Sequence, residues 1–431
     1  MGPRAGEGLD FEAVETALRR QALKIAAQAL EQKLNADRSD YAGPTLACVR
    51  CGRPARYAGR KKKTFETVLG EMRLWRAYYH CGFCRRGFCP RDRALGLEDT
   101  SLSPGVTRMT GLAAAMVSFK ESSNLLDRLA GVKVDAKQVE RAAEGLGREI
   151  AMDERQVVAP APEGEIAPTM YLGVDGTGVP VRKEEVRGRK GKQPDGSAKT
   201  REVKLATVWS AQSRDKKGRP VRDEGSVTYS AAIESAAQKD TDEVFSEFAQ
   251  RVLREAARRG FDRAPRHVVV GDGAPWIWNL ADEHFPDAVQ MVDRFHAKGK
   301  LHTIAKEIYG PGSDPAKTWA KQRCDELDED KMDELLLALV QHAAASEEAR
   351  KGVGYFTGNR ERMKYPEFEA QGLCTSSGVV EAGCKVAVGA RLKRSGMHWT
   401  VAGADAIIAL RCCYLSGRFE DFWERRAETG G

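Results

Sequence analysis

Three carboxylates stand in settings suited to hard-metal chemistry. Asp175 lies in Leu172-Gly-Val-Asp-Gly-Thr-Gly178, Asp272 in Val268-Val-Val-Gly-Asp-Gly-Ala274, and Glu381 in Ser377-Gly-Val-Val-Glu-Ala-Gly-Cys-Lys385. The first two follow β-branched apolar runs that end in glycine, the way a buried strand delivers a side chain to the rim of a sheet. The third follows a Ser-Ser-Gly start and reads as helical. Oxygen ligands of this kind suit Mg²⁺. A pair of such ions clamps the attacking and leaving oxygens of an in-line phosphoryl displacement. Asp175 is expected to bridge the two ions, and Asp272 and Glu381 to complete one each. His296, in Val292-Asp-Arg-Phe-His-Ala297, is a candidate for positioning phosphate. Each residue also has a plainer reading: Asp before Gly makes turns, and a helix Glu faces water.

A second ligand set lies earlier. Cys48-x-x-Cys51 and Cys81-x-x-Cys84 are separated by 29 residues. Two Cys-x-x-Cys turns supply four thiolates for one tetrahedral structural Zn²⁺. The intervening segment is strand-like from Thr64 to Tyr79, with a bend at Val68-Leu69-Gly70, so residues 46–93 read as a zinc ribbon. Between Gly43 and Arg93 there are 13 Lys/Arg and 3 Asp/Glu, a formal +10, against +7 for the whole chain. This concentration points to a polyanion, with Lys61, Lys62 and Lys63 as candidate phosphate contacts; a solvated basic face is the alternative. The remaining cysteines, Cys384 among them, read as small core residues.

The elements that must position these groups follow from periodicity. Residues 1–45 hold an amphipathic helix from Asp10 to Leu34, with Val14, Leu18, Ala22, Ile25 and Ala29 as its stripe. Residues 100–160 read as helical. A helix from Ser122 to Ala130, a turn at Gly131 and a helix capped by Asp135 resemble a helix-turn-helix, which would present Lys137, Gln138 and Arg141 to DNA bases. An ordinary helical hairpin is the alternative. Val158-Ala-Pro-Ala-Pro162 reads as a linker. Strands are expected at 169–174, 203–210, 226–233, 266–271 and 288–292, with a helix from a capping box at Asp240–Glu243 to Arg259. Strand–strand–strand–helix–strand–strand is the order of an RNase H-like sheet. That domain would span 165–296, be interrupted by a helical insertion at 297–371, and resume at 372–425. The fold class is thus multidomain α+β: a zinc ribbon and a helical part, then an RNase H-like α/β domain.

At 431 residues the chain is long enough for several domains. No apolar run approaches the roughly 18 residues needed to span a bilayer, and the N-terminus lacks the apolar core of a signal peptide. No membrane partner is expected. Ten cysteines without a framework pattern argue against a secreted disulfide scaffold.

From about residue 46 to 425 the chain resembles bacterial insertion-sequence transposases of the DDE type, the ISKra family above all. The resemblance rests on Leu172–Pro180, Arg201–Leu205, Gly271–Trp278, Val292–Ala297, Ser377–Lys385 and Arg391–Met397 with Trp399. It implies that Asp175, Asp272 and Glu381 are the metal-binding triad for two Mg²⁺ (or Mn²⁺), that Asp293 and His296 form an Asp-x-x-His signature, and that a helical insertion precedes the glutamate. It further implies double-stranded DNA as partner, a homo-oligomer on DNA, and a cytoplasmic, nucleoid-associated location in a bacterium. Lys385, Arg391, Lys393 and Arg394 are expected on backbone phosphates. Trp399, like Trp276 and Trp278, is a candidate for stacking on an unpaired base, with core packing as the alternative. Two other readings stay open: a zinc-ribbon DNA-binding regulator or domesticated relative without catalysis, and a structure-specific nuclease without strand transfer.

Overall fold

In the computed structural model, alternating side chains over residues 54–81 build the first sheet. Residues 10–156, 165–191, 193–233, 246–375 and 378–428 are described. The expected linker at 158–162, the helix start at Asp240–Glu243, and Ser377 lie outside them.

Strands β1 (Thr45–Ala47), β2 (Pro54–Thr67), β3 (Gly70–Cys81) and β4 (Arg86–Phe88) pair in sequence order. The turn between β2 and β3 falls at residues 68–69, the expected bend. Side chains alternate about the pleat. Phe65, Met72 and Leu74 are buried, while Lys62 and Trp75, directly opposite one another, are exposed. Helix α1 (Phe11–Ala36), capped by Asp10, lies along the free edge of β3. Its Asn35 donates to the Arg73 carbonyl and accepts from the Trp75 N–H, both at 2.8 Å, and Glu31 accepts from the Arg73 N–H at 2.8 Å. These side chains occupy edge groups that would otherwise invite another strand. The docking face is Ala27, Leu30 and Leu34. The expected stripe of Val14, Leu18 and Ile25 is instead exposed, because it lies roughly 200° around the helix from Ala27 at 3.6 residues per turn.

Helix α2 (Pro90–Ala94) follows, then α3 (Pro104–Met116) and α4 (Phe119–Leu125), which runs into a π-helical turn at Leu126–Ala130. Gly131 closes that turn in the left-handed conformation, and α5 (Ala136–Gln156) begins after Asp135. The described residues up to Leu146, together with those from Arg418, form one compact unit; Gly147–Gly417 form the other. Helix α16 (Phe419–Glu428) belongs to the first unit, where Glu420 pairs with Arg108.

The second unit is built on a five-stranded sheet. In chain order its elements are β5 (Thr169–Pro180), β6 (Thr200–Ser210), a small hairpin β7 (Ser213–Arg214) and β8 (Pro220–Val221), then β9 (Thr228–Ile233), α6 (Glu247–Arg258), β10 (Arg266–Gly271), α7 (Pro275–His284) and β11 (Val289–Val292). The sheet order is β11-β10-β5-β6-β9. Strands β5, β6 and β9 form an antiparallel meander, and β10 and β11 run parallel to β5 on its other side. The five expected strands and the helix before β10 are present; α7 between β10 and β11 and the β7–β8 hairpin are additions to the expected order. Apolar runs fit these strands because both faces are covered. Tyr171 and Trp209 stack at 4.1 Å between centroids and are fully buried; truncating either to alanine would cost about 3–5 kcal/mol.

Five helices follow: α8 (Arg294–Tyr309), α9 (Asp314–Asp328), α10 (Met332–Ala343), α11 (Glu347–Gly358) and α12 (Tyr365–Ala370). They share one core with the sheet, Trp319, Leu335, Phe356 and Tyr365 among its members. The chain then returns through α13 (Val379–Gly383), a π-helical segment at Cys384–Gly389, α14 (Ala390–Leu392) and α15 (Val401–Leu415). Among the described residues no helix is long and apolar enough to cross a membrane.

Candidate functional site: a thiolate centre and a carboxylate centre

The four predicted zinc ligands converge. Their sulfurs lie within 4.8 Å of one another, with Cys48 and Cys84 at 3.6 Å and Cys51 and Cys81 at 3.7 Å. A regular tetrahedron with zinc–sulfur bonds of about 2.3 Å has edges of about 3.8 Å, so the set fits Zn²⁺. A disulfide would need about 2.05 Å. Backbone N–H groups of Arg50 and Cys51 point at the Cys48 sulfur and hold its thiol down to about 6. Those of Cys84 and Phe83 lower Cys81. Cys51 receives the Arg53 N–H, yet burial and the neighbouring sulfurs push it up to about 11. Four crowded thiols cannot all ionise unless a cation sits among them. Cys89 is buried outside the cluster, its thiol raised by burial.

The hairpin carrying these knuckles divides its lysines. Lys61 lies over the Tyr78 ring at 3.4 Å, and Lys63 donates to the Thr100 carbonyl at 2.6 Å. Both line a cavity of about 580 Å³ with Arg50, Arg76 and Arg86. Lys62 is on the other face, 5.9 Å from the Trp75 ring. The three therefore do not form one patch. In the helical region, Lys137 pairs with Glu140 at 2.7 Å and Arg141 is exposed. Gln138 is occupied: its Oε1 accepts from the Asp135 N–H at 3.2 Å while its own N–H donates to Asp135 Oδ1 at 3.0 Å. This reciprocal cap makes Gln138 part of the helix start rather than a free reader of bases.

In the sheet, register brings two of the three carboxylates together. Val174 pairs with Gly271 across parallel strands. The next residues, Asp175 and Asp272, thus stand side by side, Asp175 inside β5 opposite Leu205 of β6 and Asp272 just past the end of β10. The expected strand end at residue 174 is instead the middle of a longer strand. Asp175 is buried, and its Oδ1 accepts from the Gly176 N–H at 2.7 Å. Burial raises its carboxyl, opposed chiefly by a hydrogen bond from the Cys384 thiol and by the charge of His296. Asp272 Oδ1 accepts from the Ala274 N–H at 2.9 Å, and its carbonyl accepts from Tyr355 Oη at 2.8 Å. Gly273 turns the chain here at φ +94°; a Cβ would meet the Tyr355 ring at 2.5 Å.

Asp293 caps α8 by accepting from the N–H groups of Phe295 and His296 at 2.9 and 3.2 Å. Its own N–H donates to the Gly271 carbonyl at 2.7 Å, tying this turn to the Asp272 strand. The expected Asp-x-x-His signature is therefore a helix cap that aims the histidine. His296 Nδ1 lies 3.7 Å from Asp293 Oδ1, an ion-pair distance rather than a hydrogen bond. The Asp293 carboxylate raises His296 most, against the cost of burial and with help from Asp175 and Asp272, to about 8. Asp293 Oδ2 and His296 Nδ1 are buried without a partner. The carboxylates that raise His296 set up a negative field at this spot, and the hard oxygens of Asp175 and Asp272 suit a divalent cation, which would compete with the imidazolium for that field.

Glu381 does not join them. It is half exposed and pairs with Lys385 at 2.7 Å. Among the described residues only the four cysteines gather three or more ligand atoms at metal-binding distance. What α13 and the π-helical segment after it lay on the sheet is a stripe of Val380 and Cys384. Val380 covers Gly173, where a Cβ would meet Val380 Cγ2 at 2.4 Å. One turn on, Cys384 reaches Asp175, which lies on the same face of β5 as Gly173. Burial and the Asp175 charge push that thiol well above the ordinary range. Cys384, read from sequence as a core filler, is thus the helix side chain that touches the buried aspartate; its spacing of three residues from Glu381 was the available signal.

Two expected DNA contacts are internal. Arg391 is fully buried, 5.2 Å from the Trp399 ring. Trp399 is buried too, and its Nε1 donates to the Leu392 carbonyl at 3.0 Å. Both are corrected to core residues: each has partners within the fold and no face toward solvent. Trp278 is likewise core, bonded to Asn359 Oδ1 at 2.8 Å, while the Trp276 ring holds the buried Lys204 ammonium at 4.7 Å. Lys385, Lys393 and Arg394 are exposed, and Lys393 donates to Thr177 Oγ1 on β5.

The Drosophila P element transposase strand transfer complex is similar over 78% of this chain and 83% of that chain, at 10% identity and a TM-score of 0.26, a likeness too slight to bear on fold or function. No curated protein sequence matches the chain. The sequence model that does match spans residues 4–426, and the chain belongs to the uncharacterised protein family UPF0236.

Proposed function

We propose that this chain is a DNA-processing enzyme of the DDE transposase type, as its motifs' resemblance to ISKra transposases implies, with an RNase H-like catalytic unit and a zinc ribbon that holds DNA. The observation that carries the reading is the β5–β10 register, which leaves Asp175 and Asp272 adjacent with His296 in their field. A meander of three strands flanked by two parallel ones is the strand order of an RNase H-like sheet, and it supports the same reading. The net positive ribbon supports a polyanion partner.

In this reading Asp175 and Asp272 hold Mg²⁺, with Glu381 as the third carboxylate once it exchanges Lys385 for the metal. The metal would supply an acidified water or 3′-hydroxyl and charge neutralisation at the leaving oxygen. The chain's own groups do the rest. The His296 imidazolium attracts the scissile phosphate to this site. Lys385, Lys393 and Arg394 hold flanking phosphates. No covalent protein nucleophile is used.

Cleavage of DNA carrying the ends of the encoding element, assayed with Mg²⁺, Mn²⁺ and Ca²⁺, tests it. Wild type should cut with the first two, and Asp175→Ala, Asp272→Ala and Glu381→Ala should bind but not cut. Near-normal cutting by Asp175→Ala or Asp272→Ala would overturn the assignment. The reading as a DNA-binding regulator draws on one observation, the outward pairing of Glu381 with Lys385. It requires that wild type bind DNA yet fail to cut it with any of the three metals.

A further inference from the structure

A cavity of about 510 Å³ opens beside the N-terminus of α8, within the roughly 300–1,000 Å³ range of small-ligand sites. Its floor is an ion-pair network. Arg294 binds Asp328 at 2.8 Å and Glu369 at 2.6 Å, and Lys298 binds Asp328 at 2.5 Å. These charges balance one another, so the floor offers donors and acceptors without a strong net field. Apolar surface comes from Phe295 and Leu373 and from Pro220 and Val221 of the β7–β8 hairpin. Arg214 stands exposed on that hairpin, which carries five Lys/Arg and one Asp between Ser213 and Arg222.

Phe295 is the unexplained element. Its side chain is 54% exposed although it sits in the first turn of a helix whose other flank enters the core. An isolated exposed aromatic is ordinary. This one walls a cavity, faces a basic hairpin, and adjoins His296. Its N–H is held by Asp293, whose own N–H is bonded to the carbonyl of Gly271, the residue before Asp272.

We propose that the cavity takes an unpaired nucleobase, stacked on Phe295, with its phosphate against Arg214. The inference rests on the DNA reading above and adds a subsite to it. A ring face is common to every base, so stacking here would be tolerant of sequence. Asp328 and Glu369 would accept from exocyclic amines, and Arg294 and Lys298 would donate to carbonyls. A base drawn out of the duplex onto Phe295, the residue before His296, would leave its phosphodiester accessible, the advantage that base flipping confers.

The test uses full-length zinc-loaded protein and two fluorescein-labelled DNAs: a perfect duplex, and the same duplex with one unpaired 2-aminopurine. Wild type should bind the second more tightly and change the 2-aminopurine emission. Phe295→Ala should lose that preference, by about tenfold for one lost stack, while keeping its affinity for the perfect duplex. Phe295→Trp should retain both properties. Retention of the preference and the emission change by Phe295→Ala would overturn the subsite. So would equal binding of both DNAs by wild type, with the DNA reading left standing. Failure of wild type to bind either DNA would overturn both.

Discussion

The thiol of Cys384 donates a hydrogen bond to the carboxyl of Asp175. An S–H donor favours the ionised carboxylate at a position where burial opposes it. The thiol is itself held protonated by burial and by that same negative charge. The thiol thus stays neutral, and its hydrogen bond favours the carboxylate, the form a hard cation needs, against the cost of burial.

Replacing Cys384 should therefore shift the acid side of metal binding. With Cys384→Val the carboxyl loses its donor, its protonation moves to higher pH, and Mn²⁺ affinity falls most at the acid end of a titration series. Cys384→Ser should behave like wild type. Electron paramagnetic resonance of Mn²⁺ between pH 5 and 8 reads this directly. Identical profiles for all three proteins would show that the thiol does not act on Asp175.

His296 should contribute pH-dependent stability in metal-free protein. Its folded value near 8 lies above its ordinary 6.5. The charged form is thus stabilised by the fold. That contribution is fully present below about pH 6.5 and is lost as pH rises through about 8. Its size is on the order of 1 kcal/mol after discounting for partial exposure. The melting temperature of His296→Gln should fall below wild type at pH 6 and approach it at pH 9. A difference that grows toward pH 9 would contradict the assigned direction.

One Zn²⁺ per chain is expected on Cys48, Cys51, Cys81 and Cys84. Because so small a sheet gains much of its folding free energy from the metal, Cys48→Ser and Cys81→Ser should lose zinc by elemental analysis. They should also lose amide protection across residues 45–88 in hydrogen exchange. Wild-type protein purified without zinc and unaffected by a chelator would exclude the site.

Lys61 and Lys63 should act differently from Lys62. The first two line one cavity and the third sits over Trp75 on the opposite face. If the cavity face holds DNA, Lys61→Gln with Lys63→Gln should reduce the salt slope of duplex binding by roughly two units, about one per phosphate contact. Lys62→Gln should leave it unchanged. Equal slopes for both variants would mean that neither face is preferred.

Some of this was set by residue type and spacing alone. Two Cys-x-x-Cys turns can hardly do other than face one another across a hairpin, because thiolate coordination demands a short knuckle at each end. Valine-rich runs ending in Gly-Asp or Val-Asp read as strands that carry a carboxylate, because short β-branched runs bounded by glycine favour buried sheet over helix. That is why β5, β10, Asp175 and Asp272 were legible. Tertiary structure decided the rest. Which side of α13 meets β5 depends on the phase of a short helix that enters a π segment, and local periodicity does not specify that phase; so Cys384 reaches Asp175 while Glu381 turns outward to Lys385. Arg391 reads as a surface cation by type, yet the fold closes over it beside Trp399, since a charge can be buried where neighbouring groups answer it. Val14, Leu18 and Ile25 read as a buried stripe, but α1 meets its sheet through Ala27, Leu30 and Leu34, because only the edge groups of β3 at Arg73 and Trp75 select the face that carries Glu31 and Asn35.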